Sequence, residues 1–516
     1  MYPDTHAAVH PDRPAVVLAE SGAVLGYRAL AEQSARLANV FRAEGLRKGD
    51  TVALLTDNAL PAYEVYWAAV RSGLYLAAVN SHLGPDEAAY IVADSGAKAL
   101  VVSAAIGELA TEVARRVRVP VRLAFGGQVE GFDDYAKVVA NASASVPEDQ
   151  PAGADLLYSS GTTGRPKGIK VALPSHQIDE PGNILLPLLQ AKYGFSAGMV
   201  YLSPAPVYHA APLRFGACVH AVGGTLVMME RFEAEAALRA IERYRVTHSQ
   251  WVPTMFVRML KLPESGRSRY DLSSHQVAVH AAAPCPVEVK HEMMSWWGPI
   301  LHEYYSSTEG AGMTFIGPEE WLGKPGSVGR EGLGVVRICA EDGSVLPAGS
   351  TGTVYFERDE PAFEYHNDEP KTRSARHPGH PNWATNGDIG RLDDDGYLYL
   401  TDRAAFTIIS GGVNIYPQET ENVLALHPAV HDVAVIGVPD AELGEVAKAL
   451  VQPESTAEPG PELAEELLAH VRARIAHYKA PRSVDFVTDL PRTPTGKLLK
   501  HELRARYRDT APDQRG

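Results

Sequence analysis

Cysteine is scarce in this chain. Cys218, Cys285 and Cys339 are scattered through 516 residues with no C-x-x-C spacing, which excludes a disulfide scaffold and a structural zinc site and fits a reducing compartment. No apolar run reaches the ~18 residues that carry a helix across a bilayer. Met1-Tyr2-Pro3-Asp4 does not open a basic stretch followed by an apolar one, so no secretory leader is read and the expectation is a cytoplasmic protein. Positive charge is in deficit too. Lys and Arg total 48 against 63 Asp and Glu, a net charge of −15, so no general basic field exists to attract nucleic acid. Local exceptions remain around Arg472, Arg474, Lys479 and Arg482, where a solvated helix face is the plainer reading.

The chain does have enough apolar residues, 45% of the total, to bury a large core, and its length exceeds what one core normally serves. From Tyr27 to Ser103 helical periods alternate with short β-rich runs. Leu30, Leu37 and Phe41 share helical spacing, Gly49-Asp50 turns the chain, and Val52 to Leu55 reads as a buried strand. A helix from Tyr63 to Ser72 and a strand from Ala99 to Val102 follow. The rhythm returns with a strand at 225–229, a helix at 233–244 and a strand at 246–251. Such alternation predicts an α/β body with largely parallel sheets.

The texture shifts near Gly387. Residues 390–400 read as a hairpin about Asp394-Asp395-Gly396. Beyond Thr401 come a helix after Pro417, strands at 433–438 and 447–451, a loop at 453–461 and an amphipathic helix at 463–475. The expected fold class is α/β, a large layered N-terminal domain over residues 1–401 and a small mobile α+β domain over 402–516.

The strongest chemical signal is Tyr158-Ser159-Ser160-Gly161-Thr162-Thr163-Gly164-Arg165-Pro166-Lys167-Gly168. Glycines let backbone N–H groups approach phosphate oxygens, hydroxyls donate further bonds, and Lys167 supplies a point charge. It is not a Walker loop, because Pro166 stands where that motif needs its second glycine. The bland alternative is a flexible Gly/Thr surface loop.

This segment resembles the adenylate-forming superfamily of acyl-CoA ligases, luciferases and peptide-synthetase adenylation domains, and further matches follow in the family's order. Tyr305-Ser306-Ser307-Thr308-Glu309 is similar to the aromatic-x-x-Thr-Glu motif. The resemblance implies that Tyr305 stacks on adenine, Thr308 binds the α-phosphate and Glu309 holds Mg²⁺. Ala281-Ala282-Ala283-Pro284 resembles the turn lining the adenine pocket. Thr385-Asn386-Gly387-Asp388 resembles the motif whose aspartate binds ribose, and Asp402-Arg403 the hinge pair whose arginine reaches ribose or phosphate. Pro491 to Lys497 resembles the loop bearing the catalytic lysine, Lys497. Tyr208-His209-Ala210-Ala211-Pro212 is similar to a histidine motif beside the acyl pocket, although a lone His209 is more commonly a hydrogen-bonded core residue. Phe215, His280 and Met313 are further acyl-pocket candidates, Phe215 on a predicted helix to Val222 that would line a core or a tunnel equally well. Gly411 and Gly412 resemble the loop bordering the pantetheine passage, with a plain β-turn as the alternative.

The resemblance implies ATP and Mg²⁺ as cofactors and coenzyme A as co-substrate of a carboxylic acid. The closest wording is that of bacterial fatty-acyl-CoA ligases and their aryl-acid relatives. The chemistry agrees: carboxylate attack on a phosphate needs positioning and charge neutralisation more than a protein nucleophile. Lys167, Lys497, Arg403 and a Glu309-bound ion would supply the charge. Three rivals stand beside the CoA ligase: an amide synthetase in which an amine captures the adenylate, a luciferase-type oxygenase, and a catalytically dead nucleotide-binding regulator. One departure concerns the hinge, where the family often has Asp or Lys two residues after the arginine and this chain has Ala405.

Overall fold

Helix Tyr27–Ala43 buries Leu30, Leu37 and Phe41 completely, so the predicted apolar stripe is the face on which the first layer packs. In the computed structural model, residues 2–159, 166–403, 406–410, 413–440, 443–492 and 498–508 are described, with Asp402, Arg403, Asn414, His501 and Arg508 described by their backbone alone.

Two large sheets face each other. The first has eight strands in the order Glu364–Tyr365, Lys167–Lys170, Ala154–Ser159, Tyr75–Val79, Thr51–Leu55, Ala97–Ser103, Val121–Phe125 and Asp133–Asp134. Its pairings are parallel except those made by Lys167–Lys170. The second has nine, in the order Arg330–Leu333, Met313–Ile316, Leu301–Tyr305, Val277–His280, His248–Trp251, Val200–Ser203, Thr225–Met228, Pro14–Leu18 and Val24–Gly26. Strands buried on both faces read as continuous apolar runs, as Thr51–Leu55 does.

Between the sheets lie helices Tyr27–Ala43, Pro61–Val70 and Ala210–Val222, sharing one core with Leu54 and Leu76 from one sheet and Tyr201 and Val279 from the other. Helices Pro85–Asp94 and Gly107–Arg116 cover the outer face of the first sheet. Helices Ala234–Tyr244, Pro253–Leu260 and Val287–Trp297 cover that of the second. The result is five alternating layers. Gly216 makes the middle layer close: a β-carbon there would lie 1.9 Å from the Tyr63 hydroxyl, which donates to the Pro212 carbonyl at 2.9 Å.

A third, antiparallel sheet follows, built from Val335–Cys339, Gly352–Glu357, His380–Leu392 and Arg376–His377, with Leu398–Arg403 paired to the long strand. The small C-terminal domain has its own sheet, Val413–Ile415, Ile408–Ser410, Gly444–Pro453 and Val430–Asp440, with Ser483–Phe486 alongside. Alternate residues of its central strands feed opposite cores: Val433 and Val435 meet helices Pro417–Leu424 and Pro461–Arg472, while Ala434 and Ile436 meet Leu490 and Leu503. Lys261 of the large domain donates to the Val430 carbonyl at 2.9 Å and to Glu454, bridging the two bodies.

Predicted helices begin and end slightly late. They run Pro61–Val70 and Pro461–Arg472 because proline opens a helix at no hydrogen-bond cost, its missing N–H having no partner in the first turn anyway. No helix among the described residues is long and apolar enough to cross a membrane.

Candidate active site

Strands Ala154–Ser159 and Lys167–Lys170 pair antiparallel, setting Ser159 opposite Lys167 at the two roots of the glycine-rich loop. Ser160, Gly161, Thr162, Thr163 and Gly164 lie outside the described residues. The Tyr158 hydroxyl anchors one root by donating to Asp94 at 2.7 Å. At the other, the Lys167 ammonium lies 3.9 Å from Asp368 and 5.9 Å from the centre of the Tyr365 ring. Burial, then the neighbouring Lys371, lowers its pKa.

Strand Leu301–Tyr305 ends at the same cleft. The Tyr305 hydroxyl donates to the buried Asp388 carboxylate at 2.6 Å, and the Ser307 hydroxyl donates to Asn386 Oδ1 at 2.8 Å. Two motifs about 80 residues apart in the chain are thereby zipped side by side. Asp388 also stands in register with Arg403 on the neighbouring strand; the Arg403 side chain is outside the description. Glu309 accepts from the Tyr365 hydroxyl at 3.0 Å, so Glu309 and Lys167 share one tyrosine. No group of three or more metal-ligating side chains occurs among the described residues.

The next strand, Val277–His280, leads into Ala281 to Ala283. Ala282 is exposed with φ of 75°, a left-handed conformation that a residue with a β-carbon adopts at a cost of about 1 kcal/mol or more. A turn held against that cost, one strand away from Tyr305, is the structural counterpart of the small-residue motif.

His209 sits at the N-terminus of helix Ala210–Val222. Its Nε2 is sealed from solvent without a hydrogen-bond partner, and burial, then His82, pushes its pKa down to about 3, leaving a neutral ring. Tyr208 packs on it at 4.5 Å and bonds His82 at 3.1 Å. Phe215 stacks on Tyr304 at 5.6 Å, and Met313 belongs to the same core. His280 stands apart. It points to the opposite face of the sheet, against Phe256 and the buried Lys290–Glu303 pair, because adjacent strand residues face opposite ways. Lys497, Gly411, Gly412 and Ala405 lie outside the described residues.

Sequence reasoning missed Tyr365, Asn386 and, above all, Arg214. Arg214 grips Asp155 through Nε at 2.6 Å and Nη2 at 3.0 Å, and both Nη atoms lie 3.4 Å from the Thr308 carbonyl. The available signal was an arginine inside an otherwise apolar helix, which demands a buried partner.

The chain belongs to the AMP-binding enzymes: the family model matches residues 3–366, and that of the AMP-binding enzyme C-terminal domain matches residues 419–497. It is 35% identical to a feruloyl-CoA synthase of an Amycolatopsis species, with 98% of each chain covered. It is 31% identical to the long-chain-fatty-acid–CoA ligase FadD13 of Mycobacterium tuberculosis, again over 98% of both. Among solved structures it matches the amide bond synthetase McbA from Marinactinospora thermotolerans with a TM-score of 0.81 and 28% identity, over 98% of this chain and 99% of that one.

Proposed function

We propose that this enzyme activates a carboxylic acid with ATP, forming an acyl-adenylate, and passes the acyl group to coenzyme A. The observation that carries the reading is the Tyr305–Asp388 contact, which joins an adenine-stacking ring to a ribose-binding carboxylate at the end of the strand leading to Thr308. Relatives matched along nearly the full chain include the feruloyl-CoA synthase, FadD13 and an indoleacetate–CoA ligase.

In the adenylation step ATP lies across the ends of the second sheet. Tyr305 faces the base with Ala282 and Ala283 behind it, Asp388 and Arg403 hold the ribose, and Thr308 meets the α-phosphate. Ser159, Ser160, Gly161, Thr162, Thr163 and Gly164 wrap the departing pyrophosphate, with Lys167 neutralising it. The acid enters beside His209, Phe215 and Met313, and Lys497 approaches the reacting carboxylate from the small domain. Charge stabilisation of this kind is strong because protein dipoles are already oriented and water is thin.

Glu309 suits Mg²⁺: it is a hard oxygen donor at the phosphate end of the cleft, and this ion takes one or two carboxylates, completing its shell with phosphate oxygens and water. When bound, the ion neutralises phosphate charge. For this chain's residues the consequence is that Tyr365, donating to Glu309, fixes the carboxylate that would hold it.

For the second step the small domain turns, withdrawing Lys497 and presenting Gly411 and Gly412 to the incoming thiol. We place the boundary between the domains at 401–402, near the end of strand Leu398–Arg403 of the third sheet, beyond which Ile408–Ser410 opens the fourth. A cytoplasmic site of action is supported by Cys218, Cys285 and Cys339 all being free thiols.

A second reading is favoured by the likeness to McbA: an amine in place of CoA as acceptor, with the first step unchanged. Incubating enzyme, ATP, Mg²⁺ and an acid panel with CoA or simple amines, then identifying products by mass spectrometry, decides between them. Acyl-CoA supports the thioester; amide without thioester replaces it. Absence of acid-dependent pyrophosphate release would refute both.

A further inference from the structure

Helix Ala210–Val222 carries one permanently ionised side chain, Arg214, among alanine, leucine, phenylalanine, valine and cysteine. The guanidinium sits between the two large sheets. It forks onto Asp155 of strand Ala154–Ser159, four residues before the phosphate loop begins at Ser159. Its remaining contacts, to the Thr308 carbonyl, are 3.4 Å long, beyond the range of strong N–H donation. Desolvation works against the charge, and Asp155 together with Tyr66 and Tyr304 outweighs it, so the guanidinium stays cationic. Yet 26% of the Arg214 side-chain surface is accessible, against 10% for Asp155. A charged group surrounded by protein and still open to water lines a recess.

That recess has a chemical address. The acyl carbon of an adenylate is one oxygen away from the α-phosphate, so the acyl group starts beside Thr308. Arg214 reaches the Thr308 carbonyl with both Nη atoms, which sets its guanidinium beside the place where the acyl group starts.

We propose that the Arg214–Asp155 pair selects the acid, favouring a compact acid with a neutral oxygen acceptor (hydroxyl, ether or carbonyl) and rejecting a long unbranched hydrocarbon chain. Charge balance supplies the first argument. Asp155 cancels the guanidinium, so a second carboxylate on the substrate gains little attraction, while N–H bonds not engaged by Asp155 remain to donate. Desolvation supplies the second. A hydrocarbon sliding past would strip water from those N–H groups and return nothing, and leaving a buried donor unmatched costs more than making a bond gains. This inference rests on the acid-activating reading above.

The test measures acid-dependent ATP–pyrophosphate exchange by the full chain. The acids are phenylpropanoate, its ring-hydroxylated and ring-methoxylated forms, octanoate, hexadecanoate and octanedioate. The wild-type enzyme should favour the oxygenated rings over the bare one by about tenfold or more in kcat/KM, with hexadecanoate and octanedioate poor. In the double variant Asp155→Leu/Arg214→Met, which removes both charges and leaves neither stranded, that ratio should collapse to about twofold and hexadecanoate should improve. A pair that merely braced Thr308 would lower turnover for every acid alike and leave the ratio unchanged, which overturns the inference. So does a wild-type preference for hexadecanoate, octanedioate or the bare ring, a result that needs no variant to fold. Exchange with none of the acids would overturn the proposed function and this inference together, whereas exchange with an unaltered ratio overturns this inference alone.

Discussion

Replacing Tyr305 with phenylalanine keeps the aromatic face proposed to stack on adenine and deletes one oxygen. The oxygen matters because its bond to Asp388 is 2.6 Å long, within the short range of hydroxyl–carboxylate bonds, and Asp388 is only 7% exposed. Hydrogen bonds to a charged group contribute about 1.5–3 kcal/mol. Tyr305 is itself partly exposed, so water can reach the site and ~1–2 kcal/mol is the reasonable share, a factor of roughly 5 to 30. The cost should fall on ATP: without the hydroxyl, the carboxylate loses a bond that helps set it for its proposed ribose contact. Tyr305→Phe should raise the KM for ATP about 5- to 30-fold in pyrophosphate exchange and change kcat little, the pattern of lost uniform binding. Calorimetry with ATP alone should show the same loss. A variant whose ATP affinity stays within about twofold of wild type, while its unfolding transition falls, would show that the hydroxyl braces the strand and has no part in nucleotide binding.

Glu309→Gln should lower adenylation, and raised Mg²⁺ should restore part of it; activity that is flat across a Mg²⁺ titration would remove Glu309 from the metal site. Lys497→Ala should slow pyrophosphate exchange about a hundredfold or more, while acyl transfer from pre-formed acyl-AMP persists; equal loss of both in a folded variant would refute its role. The protein should also be acid-sensitive. Burial, first among the causes, pushes His209, His220 and His275 down to about 3 and His302 to about 4, whereas unfolding returns them to about 6.5. The native state therefore binds fewer protons than the unfolded one in that window, and stability falls as pH drops below about 6.5, by roughly 5 kcal/mol per pH unit near pH 5 for the four together. Urea midpoints that do not move between about pH 7 and 5 would contradict this.

Local patterns carried the layered body into the sequence, and non-local ones stayed hidden. Tyr27–Ala43 and Thr51–Leu55 announce themselves because a buried helix stripe and a doubly buried strand each imprint a period on neighbouring residues. The pairing of Pro14–Leu18 with Thr225–Met228 leaves no such imprint, since it joins segments some two hundred positions apart. The third sheet was legible only at its hairpin, where Gly396, at φ of 79°, marks a turn; its long strand mixes buried and half-buried positions. Motif residues stood out in the sequence because they take unusual residue types in a fixed order, and among the described ones Tyr305 meets Asp388. The helpers, Tyr365 and Arg214, were not, because their meaning comes from what a distant strand places beside them. His280 shows the limit from the other side: one step along its strand from Val279, it faces the opposite core.

The contact of Gly216 with Tyr63 bears on how such an enzyme changes diet. Since the glycine has no side chain to yield and Tyr63 is tied back to Pro212, the two middle-layer helices are riveted together one residue from Phe215, which we proposed for the acyl pocket. No larger residue fits at position 216 without moving one helix off the other, because the first methyl group added at the rivet collides with a phenol. On the proposed pocket, a new acid would be admitted by exchanging side chains one at a time, around a helix pair whose spacing stays put.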